Sequence, residues 1–424
     1  MKLLKPQNLN LETMIKPNQM YSYITYSQGK KGYAFKEGNV YKKLIPYIYF
    51  FINQIIITDK SCDANTLNYS RIKSRHIEHI MTYNKMQQIV HFLTQQKIIV
   101  VKGISEFITI KGQQMPINAK YFKLLPEYCG STEIIEVQLK IKTKPHISIN
   151  PKAKEEMSKP EVQHQFELCS NYTFDFEGAE KYALELLNMN IIDKNYYIRC
   201  TQHIQRLRNK DVIFTISEKT HRITTLISLC PRRIRRFFLT DSIELDFQTF
   251  NVNLLVKLID DNLTISNISQ SLLNEIETIS KETSMDFYNV IVEYFREKGF
   301  SIDRDTAKGI VLANWINNRP KTKSTEFNLM KQRYPEITKL MTELKGKTHD
   351  EYLKYTYKFM QIESELINNI IYKRFSTIKP YVKLYTICDC IMIESKYKDS
   401  LERIMFEESQ SFFKKIINIK ETKK

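Results

Sequence analysis

The stretch SIELDFQTFNVNLLVKLI, residues 242–259, changes its hydrophobic period halfway along. Ile243, Glu244 and Leu245 before Asp246, with Phe247 after it, read as a short strand, and Phe250, Leu254, Leu255 and Leu258 then follow at helical spacing. Asp246 therefore falls where an apolar strand gives way to a helix. Burying a carboxylate there without a partner costs several kcal/mol or shifts its pKa, so a base, a helix cap or a metal is expected beside it. A second acid has a similar setting. Residues 381–395, YVKLYTICDCIMIES, read as strand, tight turn, strand, with Asp389 at the turn between Cys388 and Cys390. Leu384, Ile387, Ile391 and Ile393 supply the apolar strand positions.

The same pattern divides the chain. Residues 142–163 are polar and proline-punctuated with no apolar periodicity, which predicts a linker over 141–163 between a domain of residues 1–140 and one of residues 164–424. In the first domain, residues 71–81 and 85–96 read as helices, the second with Met86, Ile89, Val90 and Leu93 at helical spacing. Residues 97–112 then read as a hairpin turning at Gly103, with a further strand over 119–128. Helix, helix, hairpin is the order of a winged helix, in which the second helix can enter a DNA groove and Arg71, Lys73, Arg75 and Lys85 could meet phosphates. A winged fold used for protein contact is the alternative. In the second domain, helices are expected over 177–187 and 196–208, and strands over 212–217 and 223–228. A basic helical turn carrying Arg232, Arg233, Arg235 and Arg236 follows, suited to phosphate contacts or to a solvated helix face.

Composition narrows the chemistry. Glycine is scarce, at 10 residues in 424, and neither a GxGxxG nor a GxxxxGK[ST] loop occurs, which removes the Rossmann and P-loop classes. The net charge of +17 favours a polyanionic partner, nucleic acid above all, although a lysine-rich proteome would also produce it. The seven cysteines include no CxxC pair, so neither a zinc ribbon nor a disulfide framework is signalled. MKLLKPQNLN lacks the apolar region of a secretory signal, and the most apolar run, residues 44–57, is too short for a membrane span and contains Pro46, Asn53 and Gln54. A cytoplasmic protein, with no membrane partner, is expected.

Between the two acids, Asp303 can cap a helix in which Arg304 and Lys308, one turn apart, share a face. Two fixed cations in that relation suit the triphosphate of a nucleotide, with Leu312 and Trp315 or Ile316 extending toward the base as an apolar surface; an ordinary amphipathic helix is the plainer reading. Two carboxylates at strand tips make a hard-oxygen site for Mg²⁺ or Mn²⁺.

Over roughly residues 222–394 the order of these pieces resembles the palm and fingers of family A DNA polymerases and single-subunit phage RNA polymerases. The pieces are a strand-end Asp, an RxxxK helix, a helix containing Gln361 and Glu363, and a strand-turn-strand with Asp. The resemblance implies an α+β fold, with the winged-helix-like domain followed by a right-hand palm and fingers built on a small antiparallel sheet and many helices. It implies a template-directed nucleotidyltransferase, a DNA polymerase of a plasmid, phage or other mobile element, that binds template, primer and nucleoside triphosphates, with other replication proteins as further partners. By it, Asp246 and Asp389 are catalytic and hold two Mg²⁺ or Mn²⁺ ions, with Phe247 in the metal set; Arg304 and Lys308 bind triphosphate, and Gln361 lies near primer or template. Arg222, Arg233 and Arg236 are assigned to phosphate on charge alone. Cys388 stands where the family has His, Cys390 where many members have Glu, and Asn251 where DNA polymerases carry a sugar-selecting Glu. The YG that ends the family's fingers motif is missing. A replication initiator, or another DNA-binding protein with an inactive palm, is the alternative function.

Overall fold

Side-chain caps set where many of the helices begin. Asp193 accepts from the Tyr196 amide at 2.6 Å and Asp303 from that of Thr306 at 2.8 Å, while Thr348 and Glu351 form a reciprocal capping box at the start of the helix His349–Ser364. The computed structural model describes residues 1–16, 19–27, 30–58, 70–71, 81–110, 113–129, 131–139, 145–239, 241–263, 269–318, 324–415 and 417–421. The fold is α+β, with many helices and small, mainly antiparallel sheets. The chain forms two compact units, 1–146 with 175–211, and 147–174 with 212–424.

In the first unit, strand Lys2–Pro6 pairs with Thr132–Glu136, and Met20–Ser27 pairs with Lys30–Glu37. The helix Ile45–Thr58 is buried along most of its length. The helix Tyr83–Gln95 precedes a long hairpin of Ile99–Ile110 and Gln113–Leu124. The expected turn at Gly103 is therefore corrected: Gly103 pairs with Lys120 inside one continuous strand, and of the further strand expected over 119–128, residues 119–124 are the end of its partner while Pro126–Tyr128 form a 3-10 turn. A glycine breaks a strand only where the chain must reverse, and alternating residues continue on both sides of this one. Of the helix expected over 71–81, residues 72–80, with Lys73 and Arg75, lie outside the described residues; Ser70–Arg71 is a strand edge beside Phe122 and Tyr121. No helix of the described residues is long and apolar enough to cross a membrane.

The linker reading gives way to ordered elements. Residues 147–149 form a strand parallel to Val212–Ile216, and Pro151–Glu156 and Pro160–Ser170 are helices, each with proline in its first turn where the missing N–H costs nothing. Pro151 and Pro160, which looked like linker punctuation, are helix starts. The helices Phe176–Asn188 and Lys194–Arg208 belong to the first unit: Lys2 Nζ donates to the Tyr197 hydroxyl at 2.8 Å, and Lys194 Nζ donates to the Thr132 carbonyl at 2.6 Å. The strand expected over 223–228 stops at Thr225, where Thr225 and Ser228 exchange hydrogen bonds in a turn.

The second unit is built on a four-stranded antiparallel sheet in the order Leu384–Ile387, Cys390–Glu394, Ser242–Phe247, Ile419–Glu421. Its apolar face merges with a core drawn from the helices that follow Phe250. Trp315 and Ile316 lie in that core rather than on a base-binding surface. Trp315 is fully buried, stacks on Tyr334, and donates its indole N–H to Thr338 Oγ1 at 2.9 Å. The apolar surface expected there is thus used for packing.

Candidate active site

Alternation in the strand Ser242–Phe247 turns Ile243, Leu245 and Phe247 into the core and leaves Glu244 and Asp246 on the opposite face. Phe247 stacks on Phe250 of the next helix, with 5.0 Å between ring centroids, which fixes the strand end. Thr249 then takes a φ of 53° and turns the chain into that helix. Strands Leu384–Ile387 and Cys390–Glu394 are joined by a turn of Cys388 and Asp389 alone, and Cys388 adopts the left-handed φ of 55° that so tight a hairpin needs. Register does the rest: Asp246 lies opposite Cys390, so Asp389 is one residue from the partner of Asp246.

The Asp389 charge is felt at Asp246. The Asp246 pKa is pushed up to about 6, by burial first and then by the Asp389 charge, with Lys420 and Lys308 pulling it down. The Asp246 side chain is 24% exposed, Oδ1 is buried without a hydrogen-bond partner among the described residues, and Oδ2 lies 3.7 Å from Lys420 Nζ. Tyr288 reports the same centre from the helix Phe287–Glu297. Burial raises its pKa to about 12, Arg304 opposes this, and Asp286, Asp246 and Asp389 reinforce it.

Arg304 and Lys308 lie on the helix Arg304–Gly309, which Asp303 caps and which continues directly into a π-helix, Ile310–Ile316. Arg304 is engaged: Nε and Nη2 donate to the Asp286 carboxylate at 2.9 and 3.4 Å, and the guanidinium packs over the Tyr288 ring. Lys308 is exposed and within electrostatic reach of Asp246. The end of the π-helix is held by side chains that donate to successive carbonyls: Lys345 Nζ to Trp315, Tyr355 to Ile316 and Tyr352 to Asn317, at 2.9, 3.3 and 2.8 Å. Burial drives the Lys345 pKa down to about 7.

Arg222 pairs with Glu363, Nη2 to Oε2 at 2.5 Å, and lies within electrostatic reach of Cys388 and Asp389. Burial opposes its charge, and Glu363 outweighs that, raising its pKa; burial raises the Glu363 pKa while Arg222 lowers it. This guanidinium is committed to a buried carboxylate. Gln361 donates its amide to the Lys219 carbonyl at 2.8 Å, tying the helix His349–Ser364 to the turn before Arg222. Of the arginine cluster, Arg235 turns inward, with Nη1 3.6 Å from Glu244 Oε1 and further hydrogen bonds to the Cys230 carbonyl, while Arg232, Arg233 and Arg236 are exposed.

Sequence reasoning gave no role to Glu244, Glu363, Asp286, Tyr288 or Lys420. Glu244 shares a strand face with Asp246 and could have been found from that spacing. Lys420 had no signal, because it reaches the site on a strand of three residues, Ile419–Glu421.

Among the described residues no group of three or more His, Cys, Asp or Glu side chains gathers as a metal cage. Two carboxylates still fit Mg²⁺ or Mn²⁺, because these ions keep waters and share substrate phosphate oxygens, and the unpartnered Asp246 Oδ1 is the kind of hard oxygen they take.

No family model matches the sequence, and no curated protein matches it. Among solved structures, the POL domain of Pol1 from M. smegmatis, in complex with DNA primer-template and dNTP, is similar at 9% identity and a TM-score of 0.27. The match covers 59% of this chain and 56% of that one. A likeness so slight leaves the reading to the site's own geometry.

Proposed function

We propose that the protein is a template-directed nucleotidyltransferase, with Asp246 and Asp389 as its metal-binding acids. The observation behind this reading is the placing of these two carboxylates at the tips of neighbouring strands, where the Asp389 charge raises the Asp246 pKa and Lys308 lowers it. Asp246 and Asp389 would hold Mg²⁺ or Mn²⁺, which when bound activates an attacking hydroxyl and stabilises the charge on the phosphates. Lys308 binds the triphosphate as a mobile point charge. Arg304, held by Asp286 and Tyr288, orients the start of that helix and adds to the positive field. Arg222 keeps Glu363 neutralised beside the Asp389 turn, so that this third acid does not repel an incoming phosphate. Exposed Arg232, Arg233 and Arg236 would contact the nucleic-acid backbone.

A second reading, a DNA-binding replication protein whose palm is inactive, is favoured by the lysine already on Asp246 and by the cysteines that flank Asp389. Incorporation of labelled nucleotides by the full chain on primed and unprimed templates, with Mg²⁺ or Mn²⁺, separates the two. Metal-dependent incorporation supports the enzyme, and its absence on every template supports the binding protein.

A further inference from the structure

Asp246 already has a cation beside it. The strand Ile419–Glu421 pairs with the Asp246 strand in the register Leu245 with Glu421, Asp246 with Lys420, and Phe247 with Ile419. Residues directly opposite in an antiparallel pair project from the same face, so this register sends Lys420 out beside Asp246. Three residues of strand would fray by themselves, but this segment is tied on both sides. The Gln248 amide donates to the Asn418 carbonyl at 2.8 Å, and the Asn418 side-chain amide donates to the Ser284 carbonyl at 3.0 Å. Ile417 is buried in the core, and Lys398 Nζ donates to Glu421 Oε2 at 2.9 Å. The backbone under Lys420 is therefore fixed while its side chain is not. At 3.7 Å its ammonium is too far from Oδ2 for a good hydrogen bond, and the side chain is 43% exposed, so it can swing into solvent at little cost.

We infer that Lys420 is a resident counter-ion that a divalent cation must displace from Asp246, so that the segment 417–421 sets the metal affinity of the site. This rests on the reading of Asp246 and Asp389 as metal-binding acids. Without metal, the single charge of Lys420 offsets the repulsion between the two carboxylates and keeps the strand tips in place. When an ion approaches, the same charge opposes it until the side chain moves away. The site would then hold metal weakly by itself and more tightly when substrate phosphates supply additional oxygens, which couples metal loading to nucleotide binding.

Mn²⁺ binding to the full chain, followed by the paramagnetic resonance of free Mn²⁺ with no substrate present, tests this without any turnover. Lys420→Met keeps the stem and removes the charge; it should bind Mn²⁺ roughly tenfold more tightly than wild type, as expected for removing one partly screened charge beside the ion. Lys420→Arg should bind like wild type, and Asp246→Asn should lose the site. Unchanged or weaker binding in Lys420→Met, with binding still lost in Asp246→Asn, overturns the inference and leaves the metal-site reading standing. Binding indifferent to both substitutions overturns both.

Discussion

Ionisable groups in this fold are tolerable where a partner or an opening answers them, and each case makes its own prediction. Glu363 is 4% exposed and is answered by Arg222. Glu363→Ala should therefore cost about 3 kcal/mol, because a half-buried guanidinium loses its partner, and adding Arg222→Met should recover part of that. Urea unfolding of the two single variants and the double variant measures it, and additive effects would show that the pair is not coupled. Among the described residues, Lys345 has the Trp315 carbonyl and the Tyr355 ring to set against burial. Its folded pKa of about 7 lies below the unfolded value, so between roughly pH 7 and 10 the unfolded chain binds more protons and stability rises with pH. The cost of the buried charge is fully present below pH 7. From pH 7 to 9 the wild type should gain about 2 kcal/mol relative to Lys345→Met in the same unfolding measurement. Such pairings were not legible in the sequence: Arg222 and Glu363 are far apart along the chain, and nothing in either neighbourhood announces the other. The strand-end places of Asp246 and Asp389 were legible, because an acid that interrupts an apolar strand pattern is visible at once.

Elements that announce themselves by period or cap were readable, and those that depend on register were not. The Asp246 strand, its following helix and the Asp389 hairpin all lie where their hydrophobic alternation predicts, as does the helix that Asp303 starts. The strand Ile419–Glu421 is too short to carry any period, and Gly103 reads as a turn although the strand passes through it. Trp315 and Ile316 reversed their expected role because a helix pattern says which residues share a face, not whether that face meets solvent or core. The Arg304 helix yields a paired prediction. Lys308→Ala should raise the KM for nucleotide and lower kcat with little effect on stability, since its side chain is exposed. Arg304→Ala should act in the same direction and also cost up to about 1 kcal/mol, because it breaks the partly exposed contact with Asp286. Steady-state kinetics beside thermal melts separate the two effects; wild-type kinetics in both variants would make this helix a solvated face.

Taken whole, the chain keeps its charge and its sequence order for different purposes. The net charge of +17 argues for a polyanionic partner, and affinity for nucleic acid should fall log-linearly as salt rises; an affinity indifferent to salt would remove the phosphate contacts from the account. Sequence order misleads about the units, because residues 175–211 return to the first one through Tyr197 and Lys194. No change in composition marks that return, so a cut at residue 140 would strip the helices Phe176–Asn188 and Lys194–Arg208 of their partners rather than release a domain. The polymerase reading itself stands on the two acids. Primer extension by the full chain with Mg²⁺ or Mn²⁺ and both nucleotide types, for wild type, Asp246→Asn, Asp389→Asn and the double variant, decides it. Extension should be present in wild type and abolished in each single variant, with the double variant hardly worse, because the two carboxylates serve as one unit. An inactive wild type, or full extension by either single variant, would contradict it.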